Sequence, residues 1–426
     1  GVLVKADEYA PSQVHISLGQ NKVSEMTVTW STVSDPDENP QVAYGECGST
    51  SSELSPSTST KFVDNGTLHH TQYIHRATLV NLLPDHEYCY RIQSNPSSSQ
   101  YSFMTMPSNL TNPSITVYGD LGLQNARSVP LLTSETESRR SHAIVHNGDF
   151  AYDMFTNNAT RGDEWFNMMQ PIMANTPYMV SIGNHEGMYD ALNYRARFTM
   201  PDFDLTENLF FSFDIGRSHW ISYDTEVYFV YEATEGHGGV GRNFGPYPEL
   251  ALLQYQYIEA DLLAATQNSD IDWIVVYGHR PMYCSDSDDA DCLSLATWKT
   301  DLEDLFFKYG VDIIFEAHQH SYERLWPTYD STVLNGTEDA NDPYFHPGAP
   351  VHLVSGAAGC DEDLQVFDDG PLGPWSAFRN SSYGFGHLDI VNASTALWEE
   401  VHGGSGNVVD SITITRDNTK PRGWSL

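Results

Sequence analysis

Five short apolar runs in this chain each stop at a residue able to ligate a metal or move a proton. Ile115-Thr116-Val117-Tyr118 stops at Gly119-Asp120, and Ala143-Ile144-Val145 at His146-Asn147-Gly148-Asp149. Tyr178-Met179-Val180-Ser181-Ile182 stops at Gly183-Asn184, and Trp273-Ile274-Val275-Val276-Tyr277 at Gly278-His279. Val311-Asp312-Ile313-Ile314-Phe315 stops at Glu316-Ala317-His318. With Tyr152 three residues beyond Asp149 and His320 two beyond His318, seven candidates stand out: Asp120, Asp149, Tyr152, Asn184, His279, His318 and His320. Singly, each has an ordinary reading, since Gly-Asp is a common turn and a strand-end histidine is commonly just hydrogen-bonded. Recurrence at five successive run ends is poorly explained by chance. Four of the five place Gly directly before the polar residue, which permits a sharp turn there.

The elements that must position these residues follow from the same runs. Continuous apolar segments suit strands buried on both faces by helices. Helical candidates fall between them at Pro248–Gln267 and at Leu293–Tyr309, the latter stopped by Gly310. Ligand sites in such sheets gather beyond the carboxyl ends of the strands, so all seven side chains would reach one rim. Residues 1–107 have a different texture. Val14-His15-Ile16-Ser17-Leu18 and Met26-Thr27-Val28-Thr29-Trp30 alternate, with turn-prone Gly19-Gln20-Asn21 between them. Tyr88, within Leu83-Pro84-Asp85-His86-Glu87-Tyr88-Cys89, sits where a sandwich places its corner tyrosine. A fibronectin type III-like β-sandwich is the simplest reading of 1–107, with 108–426 forming the α/β catalytic domain and its C-terminal strands. The polar, proline-bearing stretch Met106–Pro113 marks the boundary.

Composition bounds the partners. The 426 residues carry 57 Asp+Glu against 21 Lys+Arg, a net charge of −36. Phosphate backbones and anionic membrane surfaces repel so acidic a chain, which excludes nucleic-acid binding as its main role. Apolar residues make up 40%, with 9 Trp, 24 Tyr and 19 Phe, enough for a packed core and not the composition of a disordered chain. No run reaches the ~20 apolar residues of a membrane-spanning helix. The segment Asp417–Leu426 carries no lipid-anchor signal, and Gly1 in place of Met is expected of a processed or truncated chain.

Six N-x-[ST] sequons, at Asn65, Asn109, Asn158, Asn335, Asn380 and Asn392, point together to glycosylation and a secreted, extracellular or lysosomal-type location. Cysteine usage agrees. Cys284 and Cys292 enclose a short Ser/Asp-rich loop and are expected to form a disulfide, with Cys47 and Cys89 as the second candidate pair in the first hundred residues. Cys360 is left over, to be buried, free, or paired with another chain.

Taken in order, Gly119-Asp120-Leu121-Gly122, Gly148-Asp149-Phe150-Ala151-Tyr152, Gly183-Asn184-His185-Glu186, Val276-Tyr277-Gly278-His279 and Ala317-His318-Gln319-His320 strongly resemble the motifs of the purple acid phosphatases. These are members of the calcineurin-like dinuclear metallophosphoesterases. The tyrosine three residues after the second Asp separates this family from most other metallophosphoesterases, and the sandwich before it matches the family's long, two-domain form. The resemblance implies a catalytic β-sandwich of mixed sheets flanked by helices. It also implies a ferric ion held by Asp120, Tyr152, His320 and a bridging Asp149, with a divalent Zn, Fe or Mn ion sharing Asp149 and taking Asn184, His279 and His318. Those donors fit the ions, since carboxylate and phenolate suit Fe(III) while imidazole and amide suit the divalent metals. A metal-bound hydroxide would then attack a phosphate ester, with His185 binding a phosphoryl oxygen or protonating the leaving group.

Two departures from the family pattern are visible. Ala317 stands where the fifth motif usually has Gly, and no His occurs between Arg280 and Ala317. Plant members carry a histidine pair where this chain has Asp288 and Asp289. Arg280 is the expected replacement as a substrate contact, and His279-Arg280-Pro281-Met282-Tyr283-Cys284 resembles the animal long forms. The acidic stretch Asp286–Asp291 would disfavour polyanions such as phytate. The expected activity is hydrolysis of small phosphate monoesters at acidic pH. The alternatives are a phosphodiesterase or nucleotide pyrophosphatase on the same centre and, from another class, a catalytically silent scaffold. An oligomer is compatible with the sequence.

Overall fold

Alternating and continuous apolar patterns give two kinds of sheet in a computed structural model, which describes residues 8–19, 24–35, 40–229, 248–285, 297–336, 342–367, 373–417 and 423–424. The alternating strands come first: β1 (Ser12–Leu18), β2 (Met26–Thr32), β3 (Gln41–Glu46), β4 (Glu53–Pro56), β5 (Thr58–Val63), β6 (Thr71–Leu79), β7 (Glu87–Gln93) and β8 (Tyr101–Met104). They form two antiparallel sheets, ordered β1-β2-β6-β5 and β4-β3-β7-β8. Tyr88 is the corner tyrosine: its hydroxyl accepts a hydrogen bond from the Leu83 amide at 2.9 Å. A Cys47–Cys89 disulfide ties the end of β3 to β7.

The continuous runs become β9 (Ser114–Tyr118), β10 (Ala143–Asn147), β11 (Tyr178–Ser181), β14 (Trp273–Tyr277) and β15 (Ile313–Glu316), every residue of which is buried. They do not share one sheet. The first three join β21 (Gly384–Asn392), β22 (Thr395–His402) and β23 (Val408–Thr415) in the order β11-β10-β9-β21-β22-β23. The other two join β12 (Phe211–Ile215), β13 (Ser218–Ser222), β16 (Tyr322–Leu325), β19 (Val351–Ser355) and β20 (Ser376–Asn380), in the order β12-β13-β14-β15-β19-β16-β20. Both sheets mix parallel and antiparallel pairs. A small hairpin, β17 (Thr328–Tyr329) and β18 (Thr332–Val333), lies apart.

The large sheets pack face to face. Trp398 of β22 lies against Phe315 of β15, ring centroids 5.0 Å apart, and Ser222 of β13 donates to the Val180 carbonyl of β11. Burial of the runs therefore comes from the opposing sheet as well as from helices. The helix Thr297–Tyr309 ends where Gly310 takes φ +66°, with Val311 N bonded back to Phe306 O at 3.0 Å. The first part of its expected span, 293–296, lies outside the described residues. The helix Pro248–Gln267 is held to β12 and β13 by His219, whose two ring nitrogens lie 2.5 Å from Asp214 and 2.8 Å from Asp261.

One apolar cluster runs without a break from Trp30 and Tyr90 of the sandwich to Trp165, Phe315 and Trp398 of the larger region. Polar contacts reinforce the junction. Buried Arg197 pairs with Asp163 at 2.5 Å, and Asp163 also accepts from Gln13 and Gln72, each at 3.1 Å, and contacts His70 at 2.9 Å. Gln13 of β1, Gln72 of β6 and His70 just before β6 thus converge on one carboxylate of the helix Thr160–Met173.

Candidate metal centre

Each continuous strand stops where its backbone turns toward the seam between the two large sheets. Asp120, Asp149, Tyr152 and His318 all have positive φ, at 56°, 54°, 50° and 69°. That region disfavours residues with a Cβ, and such strain concentrates at functional sites. Of the four glycines expected to permit turns, only Gly148 takes a positive φ, +81°. The others serve close approach: a Cβ on Gly119 would overlap the Ala317 methyl, and one on Gly278 would sit 2.5 Å from the Tyr223 ring. Ala317 itself keeps negative φ, so alanine fits the fifth motif because Gly119 stands opposite.

The seven side chains gather into two groups. In the first, the Tyr152 hydroxyl lies 2.8 Å from His320 Nε2 and 3.3 Å from Asp120 Oδ1, and His320 Nε2 lies 3.5 Å from that same Asp120 oxygen. In the second, His279 Nε2 and His318 Nδ1 each lie 2.9 Å from Asn184 Oδ1, and His279 Nε2 is 3.2 Å from Asp149 Oδ2. Asp149, His279 and His318 together present ligand atoms within 4.8 Å of one another.

The second group also fixes a tautomer. His279 Nδ1 lies 2.7 Å from the Asn147 carbonyl, which only accepts, so Nδ1 carries hydrogen and Nε2 faces Asn184 Oδ1 and Asp149 Oδ2. Three acceptor atoms converging in this way need a positive charge between them. Burial opposes protonation of His279, but the carboxylate of Asp149 outweighs it and raises the pKa to about 9. A cation at the same point satisfies all three acceptors, so the donor set fits a metal. The phenol of Tyr152 is pushed well above its usual range by burial and by Asp120 and Asp149; a strong Lewis acid would be needed to ionise it.

A surrounding set of residues holds these donors. Buried Glu186 accepts from the amides of Asp149 (2.8 Å), Gly183 (3.0 Å) and Phe150 (3.0 Å), fastening the second and third loops together. Burial and the nearby Asp149 raise its pKa to about 8. His185 points its Nδ1 at Asp153 Oδ1, 2.9 Å away, leaving Nε2 at 3.9 Å from Asp149 and 3.7 Å from Glu362. Asp361 accepts from the amides of Leu123 (3.0 Å), Gln124 and Asn125 (2.8 Å each) and pairs with Arg161, which also donates to the Ala151 carbonyl. The following residues reach His320: its amide donates to Gln365 Oε1 at 2.8 Å, and its Nδ1 lies 3.2 Å from the Asp363 carbonyl.

Arg280 is buried, with Nε 3.0 Å from Glu226, its guanidinium over the Phe229 ring, and Nη1 3.1 Å from His318 Nε2. Cys360 carries a free buried thiol beside this region, its amide bonded to the Asp120 carbonyl at 2.7 Å. Cys284 is disulfide-bonded; its expected partner Cys292 and the acidic pair Asp288 and Asp289 lie outside the described residues. Of the sequons, Asn65, Asn109, Asn335 and Asn392 are exposed, whereas Asn158 and Asn380 are half-buried.

Sequence reasoning singles out the seven donors and His185. It passes over Asp153, Asp361, Glu362, Gln365 and Glu226. They lie on loops or, for Glu226, in a single 3-10 turn, without periodicity, and the carboxylate-rich stretch Cys360-Asp361-Glu362-Asp363 is the one available signal.

Comparison with known proteins agrees along the chain. Residues 11–105 match the model of the purple acid phosphatase N-terminal domain, residues 113–322 that of the calcineurin-like phosphoesterases, and residues 349–411 that of the iron/zinc purple acid phosphatase-like protein C. Acid phosphatase type 7 from Homo sapiens is 39% identical, covering 96% of this chain and 92% of its own length. The Danio rerio protein of that name is 38% identical, covering 97% and 93%. A purple acid phosphatase from yellow lupin (Lupinus luteus) seeds shares the fold, with a TM-score of 0.79 at 24% identity over 96% of this chain and 75% of that one.

Proposed function

The chain belongs to the purple acid phosphatase family, and from that premise we propose that it hydrolyses phosphate monoesters at a paired Fe(III)–M(II) centre. Asp120, Tyr152 and His320 would hold the ferric ion, Asn184, His279 and His318 a divalent Zn, Fe or Mn ion, and Asp149 both. The observation that carries this reading is the convergence of all seven donors, with His279 Nε2 and His318 Nδ1 each 2.9 Å from one amide oxygen. A silent scaffold would have no need to keep such a set. Bound ions would supply Lewis acidity toward the phosphoryl oxygens and acidify water for the attack.

The chain's own groups do the rest. Asp153 fixes the His185 ring through Nδ1, so Nε2 faces the site and can donate a proton to the departing ester oxygen. Glu186 holds the Asp149 and Asn184 loops at one spacing. Arg280, engaged by Glu226 and close to His318, is assigned to positioning His318 rather than to contact with the phosphate. Exposed sequons and the disulfide support passage through the secretory pathway, which a mass loss on peptide N-glycosidase treatment would register.

The test is metal analysis with a visible spectrum. Wild type should hold two metal equivalents and show a phenolate-to-Fe(III) band, giving a purple or pink solution. Tyr152→Phe keeps the ring volume, deletes the oxygen, and should be colourless with an intact fold. Persistence of the full band in Tyr152→Phe would sink the assignment. Rates on p-nitrophenyl phosphate against bis(p-nitrophenyl) phosphate distinguish the monoesterase from a diesterase.

A further inference from the structure

Glu362 has no part in holding the proposed metals, yet its carboxylate lies 3.7 Å from His185 Nε2 with its side chain 55% exposed, at the mouth of the site. Its backbone is not free to swing away. Asp361 beside it is clamped by three amides and by Arg161, and Asp363 and Gln365 are tied to His320. Among the described residues, the guanidiniums of Arg161 and Arg280 are engaged, the first by Asp361 and the second by Glu226. A carboxylate on an anchored stretch of backbone therefore borders the place where the leaving group would lie.

We propose that Glu362 is a specificity-determining residue that selects phosphate monoesters whose leaving group carries a cation close to the ester oxygen, as an aminoalkyl phosphate does. This rests on the reading of His185 as the group facing the ester oxygen. An ammonium two carbons from that oxygen would stand within contact range of a carboxylate placed 3.7 Å from His185 Nε2. An anionic leaving group would instead meet Glu362 head on.

The experiment compares kcat/KM for 2-aminoethyl phosphate with that for the neutral, similarly sized 2-hydroxyethyl phosphate in the metal-loaded enzyme. The ratio of the two cancels effects on the metals or on His185 that both substrates share. Glu362→Gln should lower this ratio about fivefold, the magnitude of a half-exposed ion pair, and Glu362→Lys should lower it further. Added salt should shrink the wild-type ratio toward that of Glu362→Gln. A ratio unchanged in both variants would overturn the proposal and leave Glu362 as a partner of His185 alone. Turnover of p-nitrophenyl phosphate in the same preparations separates that outcome from failure of the phosphatase reading. An enzyme inert toward every one of these esters would reject both.

Discussion

Asp149 lies 3.2 Å from His279 Nε2 and accepts the His185 amide at 3.0 Å, so one carboxylate joins three loops. Burial opposes its charge, but His279 and His185 hold its pKa well below the usual carboxylate range. Asp149→Asn removes the one anion assigned to both ions. We expect less than one retained metal equivalent and a kcat/KM lowered more than about 100-fold, measured by metal analysis and turnover. His185→Ala should keep both metals and lower kcat on an alkyl phosphate by ~10²–10⁴-fold, since an alkoxide leaving group needs a proton. An unchanged alkyl-phosphate rate would remove His185 from that role. At this scale the sequence was legible where residue type and strand end coincide, as at Asp120 or His279. Asp361 was not, because its importance comes from the amides of Leu123, Gln124 and Asn125, more than 230 positions away.

The five apolar runs were read correctly as buried strands, but the sheet to which each belongs was not legible. A run buried by an opposing sheet has the same pattern as one buried by helices, and Trp398 against Phe315 has no signature in either strand alone. Glycine before four of the five polar residues is likewise visible without its reason, since close approach depends on the facing loop. That facing loop can be tested. Gly119→Ala places a methyl into the Ala317 methyl and should cost about 1–3 kcal/mol, with loss of metal, as overpacked sites do. Combined with Ala317→Gly, much of the loss should return, because the next neighbours lie at 3.1 and 3.3 Å; no rescue in urea unfolding would place the strain elsewhere. A second element-level test concerns His219. Burial disfavours its charge, but the hydrogen bonds to Asp214 and Asp261 raise its pKa to about 9. Its contribution is therefore complete below the unfolded value near 6.5 and lost as pH rises through about 9. His219→Gln should lower stability by on the order of 2 kcal/mol near pH 5 and by little above pH 10.

Across the whole molecule, the boundary expected near residue 107 changes the sheet type but does not interrupt the core, which continues from Trp30 to Trp398. Alternation and a proline-bearing linker revealed two architectures; nothing local revealed that Asp163 would gather Gln13, His70, Gln72 and Arg197. Asp163→Ala strands the buried Arg197 charge and should cost about 3–5 kcal/mol, seen as a lower urea midpoint. With an unbroken core, wild type should unfold in a single transition; two separated transitions would contradict that continuity. Each group of proposed ligands also draws on both large sheets: Asp120 and Tyr152 follow β9 and β10 while His320 follows β15, and Asn184 follows β11 while His279 and His318 follow β14 and β15. Two ions held this way act as rivets through a seam. Stripping them with a chelator should let the sheets part along that edge first, so amide exchange would accelerate at the carboxyl ends of β9, β11, β14 and β15 together while β22 and β23 stay protected.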